Sequence, residues 1–313
     1  MEVVSSIERS GRVLPSRLVA VVISFNPEME SFAHLLRQLS EQVDTVVVVD
    51  NASSCDITQC LAGAAGTQAQ LITAEDNLGI AAAQNLGITK AFELGCSEIV
   101  FFDQDSKVPA GLIGRLKAHL SDPSVAIVAP VHFDSVQGFG YPVVDIQPNG
   151  TRRKWRPEAM DRPVDVSVVI SSGTLVRRYV FDQVGLMDES LFIDYVDTEW
   201  CLRCAQKGYF VRVEPAARLE HSLGLGSMRL GKLRIPVHRP ERRYYRIRNA
   251  ILLLRYKHVP LLMALREVCF GLIHSLLILA ASEQRADYLR YYWRGVVDGL
   301  RGRTGACPAQ STP

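Results

Sequence analysis

The chain is short of net charge: 35 Lys and Arg stand against 33 Asp and Glu, leaving +2 over 313 residues. Binding nucleic acid through its phosphates calls for a concentrated basic excess, so this balance excludes a nucleic-acid footprint across the whole surface. Paired cysteines are lacking too. The seven present are scattered and odd in number, which predicts reduced thiols of a cytoplasm instead of a disulfide framework. Cys201 and Cys204 form one CxxC, but no second Cys or His pair follows at zinc spacing, so both are read as helix residues flanking Arg203. Met1 to Arg17 has no apolar core and predicts a polar N-terminal segment without a secretory leader. Long hydrophobic runs are also missing. The one lipid-like segment, Val268 to Ala281, has 14 uncharged residues, short of the roughly 20 that span a bilayer. It predicts either a buried helix or one lying in a membrane surface. The basic neighbours Arg255, Lys257, Arg285, Arg290, Arg294, Arg301 and Arg303 favour the second.

A glycine fingerprint is absent where two nucleotide-using classes need one. SFNPEMES follows the first apolar run, where a nicotinamide dehydrogenase carries GxGxxG and a sugar nucleotidyltransferase carries a glycine-rich basic loop for triphosphate. There is no internal repeat and no low-complexity region.

What remains reads as α/β. Leu18 to Phe25 and Thr45 to Val49 are apolar, β-branched runs. Between them Met29, Phe32, Leu35, Leu36, Leu39 and Val43 recur at helical spacing. Strand, helix and strand within about 30 residues make a βαβ unit with a right-handed crossover. Leu71 to Thr73 is a short third strand. An Ala-rich helix then runs from Asn77-Leu78-Gly79 to about Leu94, with Gly95 as its cap, and Glu98 to Phe102 is a fourth strand. The pattern predicts a doubly wound, mostly parallel sheet over residues 18–130. Residues 131–240 read as an acceptor half: a long Gly- and Pro-containing excursion over 132–165, strands at Val166 to Ile170 and Tyr209 to Val213, a helix from Tyr195 to Lys207, and a lid loop over 222–240. Helices near 241–257, 260–281 and 284–300 form an extension over 241–303, and 304–313 is a flexible tail.

Polar residues gather where the strands end: Ser24 and Asn26, Asp50 and Asn51, Asp76 and Asn77, Asp103 and Asp105. Open α/β sheets bind ligands at the carboxyl ends of their strands, so four such endings predict one site. In Asp103-Gln104-Asp105, two carboxylates one residue apart directly after EIVFF offer hard oxygens to Mg²⁺ or Mn²⁺. Such an ion stabilises a diphosphate leaving group.

SFNP, VVDNAS, DNLGIAAAQNLGI, FFDQDS, ISSGTLVRR and FIDYVDTEWCLR, in this order, resemble the family-2 inverting glycosyltransferases of the GT-A fold. The resemblance runs from Leu18 to about His221. DNLGIAAAQNLGI, FFDQDS and FIDYVDTE look most like bacterial rhamnosyltransferases of rhamnolipid, O-antigen and lipopolysaccharide-core assembly. The resemblance implies that Ser24, Phe25 and Asn26 line the base and that Asp50 hydrogen-bonds the pyrimidine. It places Asn77 and Gly79 along the nucleotide, Gly79 allowing close backbone approach. Asp103 and Gln104 are implied at the ribose or sugar, Asp105 as the main metal ligand, and Ser172 and Gly173 near the acceptor. Asp197 takes the place of the catalytic base, with Asp194 as its rival. His221 matches a second metal ligand. Glu199 and Arg203, four apart on one helix, read as a supporting ion pair.

The chain departs from processive synthases of the family. No QxxRW appears; RRYYRIRN over 242–249 stands instead. Its helix face is expected either to carry Arg248 toward diphosphate or acceptor, or to be a solvated basic face. The implied reaction is single-sugar transfer, with inversion, from dTDP-L-rhamnose or a UDP-hexose to a glycolipid or glycan hydroxyl. The implied location is the inner face of the bacterial cytoplasmic membrane. A non-catalytic nucleotide-sugar-binding protein is the competing class, against which the retained Asp103, Asp105 and Asp197 count.

Overall fold

A computed structural model describes residues 17–64, 69–134, 138–220, 227–230, 233–236, 239–281 and 284–308. The N-terminal segment 1–16 and the end of the tail lie outside them. The first half follows the apolar runs closely: β1 (Leu18–Ser24), α1 (Met29–Ser40), β2 (Thr45–Asp50), α2 (Thr58–Ala64), β3 (Ala69–Thr73), α3 (Gly79–Glu93), β4 (Glu98–Asp103), α4 (Leu112–Ala118) and β5 (Ile127–Asp134).

Strands β1, β2 and β4 are apolar at nearly every position because both sheet faces are covered, as in parallel sheets generally. Alternate residues serve two cores. Val19, Val21, Val47, Val49, Ile99 and Phe101 point into one with α3. Leu18, Ala20, Val22, Val46, Val48, Val100 and Phe102 point into the other with α1, α2 and α4. Helix α1 buries Phe32, Leu35, Leu36 and Leu39, and the Glu28 carboxylate caps it by accepting from the amides of Glu30 and Ser31.

After β5 come β6 (Phe139–Gly140), β7 (Val143–Ile146), β8 (Arg152–Trp155), β9 (Val164–Val166), β10 (Leu175–Arg177), α5 (Arg178–Val184), α6 (Val196–Gln206) and β11 (Val211–Glu220). The sheet runs β3-β2-β1-β4-β10-β5-β11-β9, with β6 paired to β5. β1, β2, β3 and β4 are mutually parallel, β11 is parallel to β5, and β10 and β9 are antiparallel to their neighbours.

Two expectations change here. The run Val166 to Ile170 supplies only the end of β9, and residues 167–174 instead cross back toward β4, where Gly173 N donates to Phe101 O at 2.6 Å. The strand expected at 209–213 extends to Glu220, with a register shift between Glu214 and Arg218 around Pro215, which has no amide to donate. Within the expected lid, β12 (Ser227–Leu230) and β13 (Leu233–Pro236) pair as an antiparallel hairpin.

The chain closes with α7 (Pro240–Leu253), α8 (Leu261–Ala281) and α9 (Arg285–Arg301). Leu252 joins the core of α3 and α6, so this layer is packed into the sheet domain. With 21 residues, α8 is longer than its uncharged stretch alone. It is the one helix among the described residues long and apolar enough to cross a membrane, with mean hydropathy 1.8.

Candidate active site

The carboxyl ends of β1, β2 and β4 come together on one edge of the sheet. Ser24 and Asp50 are buried there, the Ser24 hydroxyl donating to Asp50 Oδ1 at 3.3 Å, and Ser53 donates to the same oxygen. Asn26 has a left-handed backbone (φ 49°), and its Oδ1 accepts from both the amide and the hydroxyl of Ser54 at 2.8 Å. Phe25 leaves its ring 44% exposed beside them. Asn51 and Asn77 join the next loop: Asn51 Nδ2 donates to Asn77 Oδ1 at 3.1 Å, and that oxygen also accepts from Gly79 N at 2.9 Å.

Several expected contacts are redirected. Gly79 is buried with φ 82°, and a Cβ on it would lie 2.6 Å from both the Phe192 ring and the Phe192 carbonyl oxygen. One close backbone approach it permits is to residue 192 of this chain. Gln104 is committed to a backbone clasp: its Oε1 accepts from Phe25 N at 2.6 Å, and its Nε2 donates to Phe25 O at 3.3 Å. Ser172 is fully buried, its hydroxyl 2.8 Å from that of Ser106 and accepting from Asp103 N at 3.4 Å. Gly173 (φ 79°) is buried against Pro130. Both are buried and support the turn that carries Asp103.

Asp103 and Asp105 leave the end of β4 as two hard oxygen donors. That number suits Mg²⁺ or Mn²⁺, which fill their remaining positions with phosphate oxygens and water. No cluster of three His, Cys, Asp or Glu occurs among the described residues. Lys107 N donates to Glu220 O at 3.2 Å, so β11 ends beside this loop. His221 lies outside the described residues.

The acidic motif opens α6. The Asp197 carboxyl is pushed up to about 6, first because partial withdrawal from water penalises its charged form and then because the charge of Asp103 acts on it; hydrogen bonds from Ser171 oppose this. Ser171 Oγ in turn accepts from buried Gln84 Nε2 at 3.1 Å. Ser171 and Gln84 join the Asp197 carboxyl in this hydrogen-bonded group, and sequence reasoning missed both. Both sit inside the quoted motifs, but a lone Ser beside Ser172 and a Gln in an Ala-rich helix carry no signal of their own.

The entry to α6 is strained. Phe192 (φ 64°, ψ −65°) centres a γ-turn in which Ile193 N donates to Leu191 O at 2.8 Å, and Asp194 (φ 64°) and Tyr195 (φ 65°) are left-handed. Each such non-glycine conformation costs on the order of 1–3 kcal/mol and persists only where its surroundings fix it. Glu199 and Arg203 form the expected pair, Nε to Oε1 at 2.6 Å and Nη2 to Oε2 at 2.9 Å, and Arg203 also reaches the carbonyls of Val184 and Leu186. Arg248 neither faces the crevice nor lies on a solvated face. It is fully buried because backbone carbonyls satisfy its guanidinium.

Comparison with known proteins matches the glycosyl transferase family 2 model to residues 21–185. A Shigella flexneri protein named dTDP-rhamnosyl transferase RfbF is 43% identical over 290 residues, covering 93% of this chain and 97% of the relative. S. aureus TarS, residues 1–349, superposes with a TM-score of 0.54 at 14% identity, covering 92% of each chain. GalNAc-T7, solved with UDP, GalNAc and Mn²⁺, gives 0.58 at 14% identity, over 91% of this chain and 56% of that one. These distant structures share the GT-A fold. With the family model spanning over half the sequence and a relative aligned along nearly its whole length, the chain belongs to glycosyl transferase family 2 and is a glycosyltransferase.

Proposed function

We propose that the enzyme transfers L-rhamnose from dTDP-β-L-rhamnose to a hydroxyl of a glycolipid or cell-envelope glycan, with inversion at C1. The observation that carries the chemistry is the Asp197 carboxyl at the sheet edge, hydrogen-bonded by Ser171 and sensing Asp103. Displacement at C1 needs one base. Asp197 takes the acceptor hydroxyl's proton while the acceptor oxygen bonds to C1, and dTDP departs with the electron pair of the breaking C1–O bond. Asp50, Ser24 and Phe25 bind the base; Asp103 and Asn77 orient the donor. Asp105, with Asp103, would hold a Mg²⁺ or Mn²⁺, which would supply positive charge to offset that of the leaving diphosphate. The dTDP-rhamnose donor is supported by the Shigella relative's name; a UDP-hexose is the second donor the fold accommodates.

The enzyme works against the cytoplasmic face of a membrane. Leu265, Leu272, Ile273 and Leu276 of α8 and Leu289 and Trp293 of α9 are exposed, and Arg285, Arg290 and Arg294 stand among them. Such a face suits an anionic lipid surface. Across α8, Glu267 is buried and accepts from Tyr195 Oη at 3.0 Å, which favours a helix lying on the surface over one crossing it.

Calorimetric binding of dTDP and UDP, each with Mn²⁺, Mg²⁺ or EDTA, to wild type and Asp105→Ala tests the donor assignment. The expected result is metal-dependent binding that favours dTDP and is lost in the variant. A preference for UDP moves the donor to a hexose, and binding of neither overturns the proposal.

A further inference from the structure

Arginine and asparagine seldom occupy fully buried helix positions unless their polar atoms are satisfied. On α7, Arg248 and Asn249 are consecutive and both completely buried. Their partners lie almost entirely in one short segment, the strained entry to α6. Asn249 Nδ2 lies 2.9, 2.7 and 3.0 Å from the carbonyl oxygens of Leu191, Ile193 and Asp194, so two amide protons serve three acceptors. Arg248 Nη2 donates to Leu191 O at 2.8 Å and Ser190 O at 3.3 Å, while its Nε donates to Asn249 Oδ1 at 2.8 Å and fixes the amide's orientation. Arg248 Nη1 reaches Gly305 O, and Gly305 N donates back to Ser190 O at 2.8 Å. The Phe192 ring stacks on Tyr245, one turn earlier on the same helix, with centroids 4.8 Å apart and planes 7° from parallel.

These bonds fall on the stretch that departs from ordinary backbone geometry at the entry to α6. Phe192, Asp194 and Tyr195 all have φ near +64°, a conformation that side-chain-bearing residues leave when nothing holds them. Tyr195 is the residue immediately before α6, and Asp197 sits in the helix's first turn. The direction in which Asp197 projects is therefore set by torsions at 192–195, and the carbonyls of that stretch are pinned from α7.

We propose that Arg248 and Asn249 are positioning residues for the transfer reaction, holding the 190–195 backbone so that Asp197 meets the acceptor hydroxyl. On this account the C-terminal helices complete the active site from behind, and the charged motif RIRN in α7 serves geometry without touching substrate. The inference rests on Asp197 acting as the base.

The test uses the full chain and two readouts. Hydrogen–deuterium exchange of the peptide over 189–199 is compared between wild type and Asn249→Ala, with peptides of α7, α8 and α9 as internal references. Release of dTDP from dTDP-β-L-rhamnose, with water as surrogate acceptor, is followed across donor concentrations. The expected result is faster exchange confined to 189–199, a KM for donor left unchanged, and a kcat reduced on the order of 10²-fold, the usual cost of misplacing a reacting group by about an ångström. Unchanged exchange in that peptide overturns the proposal. So does a loss of protection spread equally over all three C-terminal helices, since that marks a general packing role. Should Asn249→Ala fail to accumulate, Arg248→Lys, which keeps the charge but not the fork of donors, carries the same comparison. Wild type that releases no dTDP removes the donor assignment, and the exchange comparison still decides whether Asn249 holds the segment.

Discussion

Arg242 grips Asp194 through two nitrogens, Nε lying 3.3 Å from one carboxylate oxygen and Nη2 3.2 Å from the other. The Asp194 side chain is only 8% exposed beneath it. Both oxygens of this carboxylate therefore already accept charge-assisted bonds, which leaves it poorly placed to take a proton from an incoming hydroxyl. The groups that act on Asp197 are instead the Ser171 hydrogen bonds and the charges of Asp103 and Asp194. Asp197→Asn is expected to lower kcat by about 10²–10⁴-fold, the usual worth of a general base, with donor binding retained. Asp194→Asn is expected to cost far less. Steady-state kinetics alongside calorimetry checks both; a larger loss in Asp194→Asn reverses the assignment.

The acid limb of the rate should follow Asp197. The base acts ionised, so kcat should rise with pH through about 6 and level off above it. Ser171 stabilises the ionised form, so Ser171→Ala should move the limb to higher pH. Stability should run the other way. An unfolded aspartate loses its proton near 3.8, whereas the folded one holds it to about 6, so this group costs stability as pH rises across that window. A pH–rate profile for wild type and Ser171→Ala checks the first pair of statements; a limb that stays in place in the variant removes Ser171 from the base's surroundings.

Gly79 is where the donor half meets the entry to α6. Gly79→Ala puts a methyl group 2.6 Å from the Phe192 carbonyl at φ 82°, adding strain to a clash. The expected cost is about 1–3 kcal/mol of folding stability. Denaturant titration measures it. A change below about 0.5 kcal/mol, the range of an ordinary surface substitution, counts against this close packing.

The apolar face of α8 invites a flotation assay. Leu272 is 46% exposed and Leu276 58%, so Leu272→Glu with Leu276→Glu should barely alter stability. Binding to vesicles containing anionic lipid should nevertheless fall severalfold, and unchanged flotation excludes this face as the contact.

The parallel half was legible because it obeys one simple rule. Strands buried on both faces must be apolar throughout, so LVAVVIS, TVVVVD and EIVFFD announced themselves, and the acids at the ends of the last two marked the sheet edge where the candidate site residues gather. Strand β10 was not legible: three residues, Leu175–Arg177, carry too little pattern, and nothing local reveals that they insert antiparallel between β4 and β5. Arg248 misled for a different reason. An arginine in a basic helix ordinarily points to water, and only the tertiary arrangement brings it enough carbonyls to be buried. Gln104 was equally opaque, since a residue between two metal-ligand candidates reads as part of their chemistry while its amide is spent on a neighbouring backbone.

That amide has a bearing on attempts to retarget the enzyme. Because Gln104 bonds both the N–H and the carbonyl of Phe25, the loop proposed to read the nucleobase and the loop that carries Asp103 and Asp105 are fastened to each other. Libraries built to exchange one nucleoside for another by varying Phe25 and its neighbours alone will tend to drag the diphosphate end of the donor out of register. Specificity and turnover are thus inherited together, and the productive unit to recombine between relatives is the pair of loops.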